Sequence, residues 1–182
     1  MKALCWQNFR WLITKGRNYR VPKGRLYTRQ KYIHGAPVSK VQKFTMGDSK
    51  ATYQYKVSLL AENLVQVRHN ALEAARVAAN KVMFDKLGET GYMVRLVTYP
   101  HIILRENRMI ATAGADRLQE GMRRSFGKPT GRAAVVRPNK SVIDIHVNEP
   151  ALEYAKEALR VSSSKLPMTC RVSVEKIEPQ IA

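Results

Sequence analysis

This sequence predicts an α+β domain of two helices packed on a mixed β-sheet, with a long basic Gly/Arg loop and a basic N-terminal extension. Three observations carry that expectation: a long Ala-rich helical stretch, a series of short β-branched segments, and an unevenly placed net charge of +18. The 182 residues are 45% apolar, enough for one domain with a real core. The charge comes from 32 Lys and Arg against 14 Asp and Glu, and so strong a cation on a small domain implies a polyanionic partner. Nucleic acid is the leading polyanion and a membrane surface the competing one.

Residues 1–50 form the basic N-terminal extension, and residues 51–182 the domain. The extension holds 12 Lys and Arg against Asp48 alone, punctuated by Pro22, Pro37, Gly16, Gly24, Gly35 and Gly47. Tyr19, Tyr27 and Tyr32 are interleaved with Arg17, Arg20, Lys23, Arg25, Arg29, Lys31 and Lys40. Extended basic backbone with aromatics can follow phosphates and stack on bases. Its first stretch, "MKALCWQNFRWLITKGR", has Arg and no acid, as transit peptides do. Gln7, Asn8 and Arg10 interrupt any signal-peptide core, and the stretch reads as a tail. No apolar run reaches the roughly 20 residues of a membrane-spanning helix.

The clearest helix is "ENLVQVRHNALEAARVAANKVMFDKLG", residues 62–88. Leu64, Val67, Ala71, Ala75, Ala78 and Val82 recur at helical spacing, and Gly88 is a natural stop. Arg68, His69, Arg76 and Lys81 occupy the rest of its circumference. Strands follow at 92–99 and after Pro100 in "HIILR". "RAAVVR" (132–137) and "SVIDIHV" (141–147) look like a pair joined by "PNK", with Ile143, Ile145 and Val147 on one face. A second helix begins near Asn148, a candidate cap, with Pro150 in its first turn and Leu152, Ala155 and Leu159 inward. "TCRVSVEK" closes the domain as a half-buried strand, with Cys170, Val172 and Val174 on its apolar side.

Between the strands lies a loop, Arg105 to Gly131, too long to be mere connection. Its core "GADRLQEGMRRSFGKPTGRA" mixes glycines with Arg117, Arg123, Arg124, Lys128 and Arg132; Arg105 and Arg108 precede it. Glycine lets backbone N–H groups approach a phosphate closely, and arginine offers a fork matched to its oxygens. "FGKPTG" is not a nucleotide-binding loop: Met122 stands where the first glycine must be, and Pro129 follows Lys128 where Ser or Thr must hold magnesium. His34, His69, His101 and His146 are scattered, and Cys5 and Cys170 are far apart without a CxxC. The residues therefore predict no catalytic set, no metal site, no cofactor, and a reducing cytosol.

Several stretches together carry a family resemblance: "YTRQKYIHGAPVSKV", "VRHNALEAARVAANK", "YPHIILRENRM", "AGADRLQEGMRRSFGKPTGRAA" and "AKEALRVSSSKLP". They closely resemble the archaeal large-subunit ribosomal proteins called L-ten-e, relatives of the bacterial L-sixteen proteins. The resemblance spans roughly residues 17 to 177 in order. It implies an α/β-hammerhead type fold, no enzymatic activity, and a place in the cytoplasmic ribosome with large-subunit rRNA, A-site tRNA and neighbouring ribosomal proteins as partners. Neither a membrane nor a homo-oligomer is expected. Carried onto this chain, it makes Arg17, Arg20, Lys23, Arg25, Arg29, Lys31, Lys40, Arg68, His69 and Arg76 rRNA-binding residues. Arg105, Arg108, Arg117, Arg123, Arg124, Lys128 and Arg132 become the loop's RNA and tRNA contacts. The segment "MKALCWQNFRWLITK" departs from the family pattern; a lineage-specific extension and a wrongly chosen start codon both account for it.

Overall fold

In the computed structural model, residues 21, 26–107 and 125–177 are described. Eight strands and two helices follow in order: β1 (Thr45–Gly47), β2 (Tyr55–Ala61), β3 (Val65–Arg68), α1 (His69–Leu87), β4 (Met93–Leu96), β5 (Ile102–Glu106), β6 (Lys128–Val136), β7 (Ser141–Val147), α2 (Leu152–Ser163) and β8 (Cys170–Lys176). They build two sheets, a five-stranded one ordered β1-β4-β7-β2-β8 and a three-stranded one ordered β3-β6-β5. The class is α+β with two helices, as expected, but the single mixed sheet is corrected. Every strand pairing among the described residues is antiparallel. None of the sheet neighbours is joined by the helical crossover that parallel pairing requires.

The core lies where the helices meet the large sheet. Val57 and Leu59 of β2, Val94 of β4, and Ile143 and Ile145 of β7 are fully buried with Leu72, Ala75, Ala79 and Met83 of α1 and Ala155, Ala158 and Leu159 of α2. Small residues bring the two helices together. Buried Ser162 of α2 donates to the Ala75 carbonyl of α1 at 3.1 Å and to its own Ala158 carbonyl at 2.8 Å. A buried hydroxyl so satisfied ties the helices together without an orphaned polar atom.

Several boundaries differ from the sequence reading for identifiable reasons. The helix starts at His69, because Val65–Arg68 pairs with Val136–Ala133 as a strand. Leu64 and Val67 thus match the helical period by coincidence, and Leu72 and Ala79 face the core where Ala78 does not. Gly88 does end the helix at φ +71°, its N–H bonded to the Phe84 carbonyl. β6 and β7 are not a pair: β6 lies between β3 and β5, and β7 between β2 and β4. Their short connection changes sheets, with Asn139 at φ +61° and its N–H bonded to the Ala61 carbonyl. Asn148 caps nothing with its side chain; its Oδ1 accepts from the Gln54 N–H at 3.4 Å, ahead of a short 3-10 turn at Glu149–Ala151. β8 is an edge strand that α2 covers only partly, so Val172 and Val174 are exposed (40% and 42%) where a half-buried face was expected. β1 lies within the stretch assigned to the extension, yet it pairs with β4, and Val41 just before it is buried in the core.

Two glycines give this fold a paired test. Gly47 has φ +80°, and a Cβ there would overlap the Tyr92 carbonyl oxygen; Gly35, at φ +71°, has open space around it. Gly47→Ala should destabilise by about 2 to 4 kcal/mol, combining left-handed strain with a clash, and Gly35→Ala by about 1 kcal/mol from strain alone. Urea unfolding of both variants checks this, and equal losses would mean that the β1–β4 edge contributes little.

Candidate nucleic-acid interface

The stretch expected to form the long loop is flanked by two paired strands. β5 and β6 pair from Ile102–Ala133 out to Glu106–Lys128, so the connection is residues 107–127 rather than the predicted 105–131. Arg105, Lys128, Gly131 and Arg132 are therefore strand residues. The register slips between Leu104, opposite Gly131, and Arg105, opposite Pro129, leaving Thr130 as the extra residue of a bulge. Pro129 is tolerated because β3 pairs only with residues 133–136, so β6 has a single neighbour there.

An arginine closes the stem. Arg105 donates from Nη2 to the Gly127 carbonyl at 2.8 Å, and its guanidinium lies over the rings of Phe126 and Tyr27. The two rings meet edge to face at 5.7 Å, and the Ile103 N–H bonds to the Tyr27 carbonyl at 2.9 Å. Phe126 remains 64% exposed. Gly127, at φ +76°, passes so close to Glu106 and Asn107 that no Cβ fits. The N-terminal region thus reaches the base of the hairpin through Tyr27.

A second group gathers where β3 runs into α1. His69 is 5% exposed, and its Nδ1 accepts from the Lys40 N–H at 3.2 Å. Burial, then the positive charges of Arg68, Lys40 and Arg132, hold its pKa below the usual histidine value. Arg132, 9% exposed, donates from Nε to the Pro37 carbonyl at 2.8 Å. Those two bonds strap residues 37–40 across the start of the helix.

The other expected contacts divide into three sets. Arg29 and Lys31 are exposed beside a short turn at Gln30–Tyr32, with the Lys31 ammonium 4.9 Å from the Tyr32 ring centre. Arg76 is engaged internally: Nε donates to Glu73 Oε2 at 2.9 Å and Nη2 to Oε1 at 2.5 Å, which raises its pKa. Arg17, Arg20, Lys23, Arg25, Arg108, Arg117, Arg123 and Arg124 lie outside the described residues.

Sequence reasoning missed two features of this surface. One is the ring pair of Tyr27 and Phe126, 99 positions apart, that encloses Arg105. The other is a shallow groove of 540 Å³ on the outer face of α1, with Lys40, Lys81 and Lys165 around Ala74, Val77 and Ala78. Nothing in the sequence singles out Phe126. No local signal could join three lysines from three segments. Cys170 is not a reactive candidate: burial, helped by Glu62, pushes its thiol up to about 11.

Fold and surface together define a small, strongly basic α+β protein in which two paired strands, β5 and β6, flank an arginine-rich stretch of sequence. Comparison with known proteins makes the assignment specific: residues 22–173 match the family profile of ribosomal protein L16p/L10e, and the chain belongs to that family. It is 52% identical over 148 residues to the large ribosomal subunit protein uL16 of Hyperthermus butylicus, covering 81% of this chain and 82% of that one. It is 49% identical over 164 residues to the uL16 of Metallosphaera sedula, covering 89% and 94%. The uL16 of Staphylothermus marinus is 48% identical over 153 residues, covering 84% and 88%.

The histidines supply a pH test. The pKa of His69 is lowered, and so is that of His146, chiefly by burial and against the opposing pull of Asp144. Each ring therefore binds its proton more readily in the unfolded chain, whose pKa is about 6.5. Their stabilising contribution is full above that value and is lost as pH falls through the lower folded values. Urea midpoints should drop between pH 7.5 and 5.5, and His69→Gln should remove part of that drop. A midpoint that rises on acidification would contradict the burial of both rings.

Proposed function

We propose that this chain is a structural, non-enzymatic constituent of the large ribosomal subunit in the cytoplasm, binding large-subunit rRNA beside the A-site tRNA. The family assignment and the relatives' names support the ribosomal setting, and the α/β-hammerhead arrangement belongs to the same reading. The observation that carries it furthest is the stem. A bulged ladder closed by Arg105 holds the two ends of a segment containing Arg108, Arg117, Arg123 and Arg124, and a packed core fixes the stem's direction. A rigid scaffold presenting an irregular basic segment is how binding residues are commonly displayed. In this reading the segment points toward the peptidyl transferase region and touches tRNA. The basic extension from Arg17 to Lys40 runs along rRNA, and neighbouring ribosomal proteins complete the setting without self-association.

The charge supports the reading independently. With 32 cationic residues and 14 acidic ones, most cations have no carboxylate to pair with inside the chain. Arg29, Lys31, Lys40 and Lys128 are exposed. Folding such a chain leaves self-repulsion that a polyanion relieves.

Two measurements test the proposal. The protein should cosediment with large subunits in a sucrose gradient, and its binding to a large-subunit rRNA fragment should weaken steeply with salt. For five or more neutralised phosphates, log K should fall by about 0.7 to 0.9 per contact per unit of log salt. A nearly flat dependence, or no association with large subunits, would remove the reading. Separately, ribosomes carrying Arg123→Ala with Arg124→Ala should assemble yet form peptide bonds more slowly, with weakened A-site tRNA binding. Unchanged peptide transfer at unchanged tRNA affinity would make the segment a spacer.

A further inference from the structure

The outer face of α1 is apolar where a surface helix is ordinarily polar. Its core side consists of Leu72, Ala75, Ala79 and Met83, all fully buried. On the opposite side Asn70, Ala74, Val77, Lys81 and Phe84 are exposed, following one another at intervals of four, three, four and three. At 3.6 residues per turn this spacing makes one stripe, about 21 Å long. Val77 and Phe84 are 48% and 47% exposed. Helix propensity does not account for them, since β-branched and aromatic side chains lose rotamer freedom in a helix. On α2, by contrast, Glu153, Glu157 and Arg160 are among the residues turned to solvent.

The stripe runs along the shallow groove on this face, and Phe84 continues it a turn beyond. The groove's rim is cationic. Lys40 comes from the strap before β1, Lys81 from α1 and Lys165 from the turn after α2, and all three are exposed. None of them joins an ion pair among the described residues. Glu73, the carboxylate that lines the groove, is held by Arg76. The bond from the Lys40 N–H to His69 keeps the strap, and with it this lysine, beside the helix.

The floor decides which anion suits these lysines. Ala74, Val77 and Ala78 offer no ring on which a base could stack, and no arginine lines the groove. A phosphate laid there would lose water to an aliphatic surface that returns no hydrogen bond. Apolar side chains gain from covering the same surface, and carboxylates beside them would meet the lysines. A second copy of this chain is unsuited, because it would bring the same lysines against each other.

We propose that this groove docks an acidic amphipathic helix of another large-subunit protein. Apolar residues of that helix, three and four apart, lie on Ala74, Val77 and Phe84, and its flanking Asp and Glu residues face Lys40, Lys81 and Lys165. The partner's setting rests on the ribosomal reading above, whereas the docking chemistry needs no RNA.

The first arm of the test titrates the full chain, 15N-labelled, with a synthetic helical peptide of about 20 residues carrying leucines at four–three spacing flanked by glutamates. A control peptide has lysines in place of the glutamates, and a single-stranded RNA of about 12 nucleotides is titrated separately. The acidic peptide should give saturable amide shifts at Ala74, Val77, Lys81 and Phe84, and the control none. Val77→Gln and Lys81→Glu should each weaken peptide binding about tenfold. Both positions are exposed, so the fold should be kept, and Val77→Gln should leave rRNA-fragment binding unchanged. The second arm treats purified large subunits with a carbodiimide, which joins an amine to a carboxyl group in contact with it, and maps the joined residues by mass spectrometry. Lys81 or Lys165 should be joined to Asp or Glu of another protein, in a segment with apolar residues three and four apart. Equal responses to the two peptides, shifts at these residues with RNA alone, or lysines left unjoined in the subunit would each overturn the docking. Absence of the chain from large subunits, with the acidic peptide still saturating the groove, would overturn the ribosomal setting and leave the docking chemistry standing.

Discussion

The position of β6 between β3 and β5 is the constraint on which the rest of this surface depends. Its inner half, Ala133–Val136, is hydrogen-bonded to β3, which passes directly into α1, and α1 is locked to the core by Leu72, Ala75 and Met83. Its outer half, Lys128–Gly131, has only β5 beside it and forms the stem. One nine-residue strand therefore transmits the rigidity of the helical core to a hairpin that could not hold its own direction. Isolated two-stranded hairpins are marginal in water, and this one is stable because a third strand and a helix anchor its inner end. The bulge at Thr130 and the Arg105 closure then matter locally, because they act on a stem that is already oriented.

The scarcity of carboxylates shapes what the rest of the molecule can do with its charge. The few acids that are well placed serve the framework: Glu73 holds Arg76, and Asp144 and Glu175 flank Lys56 at 3.8 and 3.5 Å across the β7–β2–β8 ladder. The more exposed of these contacts, Lys56–Glu175, adds little to stability. Their consequence here is an allocation: the ion pairs among the described residues take up Lys56 on β2, Arg76 on α1 and Lys156 on α2. Arg76 illustrates the effect. Its helical position resembles that of an RNA contact, but a bidentate carboxylate already occupies its fork.

Sequence patterns carried the class, both helices and most of the strands, because burial follows local period within each element. They failed where tertiary pairing overrode that period. Val65–Arg68 has a spacing compatible with helix, and only the ladder with β6 makes it a strand. The segment "PNK" looks like a hairpin turn, yet it carries the chain between two sheets, since each flanking strand finds better-matched partners elsewhere. Val172 and Val174 alternate like a buried face, but being at a sheet edge is a property of the whole topology and not of the segment. Composition could mark candidate regions, by charge, glycine and arginine, and nothing finer. Which arginines are already engaged depends on contacts between residues such as Tyr27 and Phe126. Those are set by folding alone.

The same strand ties the two basic regions together in space. Gly131 and Lys128 are three residues apart on β6, about 10 Å at the rise of an antiparallel strand. Gly131 borders His69 and Arg68 at the α1 start, and Lys128 is the last paired residue before the connection. A rigid spacing of that size lies within the reach of a single stretch of nucleic acid. Residues 37–40 approach from the other side through Arg132 and His69, and Tyr27 meets the stem at Arg105. The N-terminal region and the hairpin, distant in sequence, are therefore registered to each other by the folded domain before any partner arrives. A polyanion that engages one of them meets the other at a fixed offset, so part of the entropy of ordering two basic segments is already met by the fold. Loosening β6 would leave every arginine in place and lose that offset.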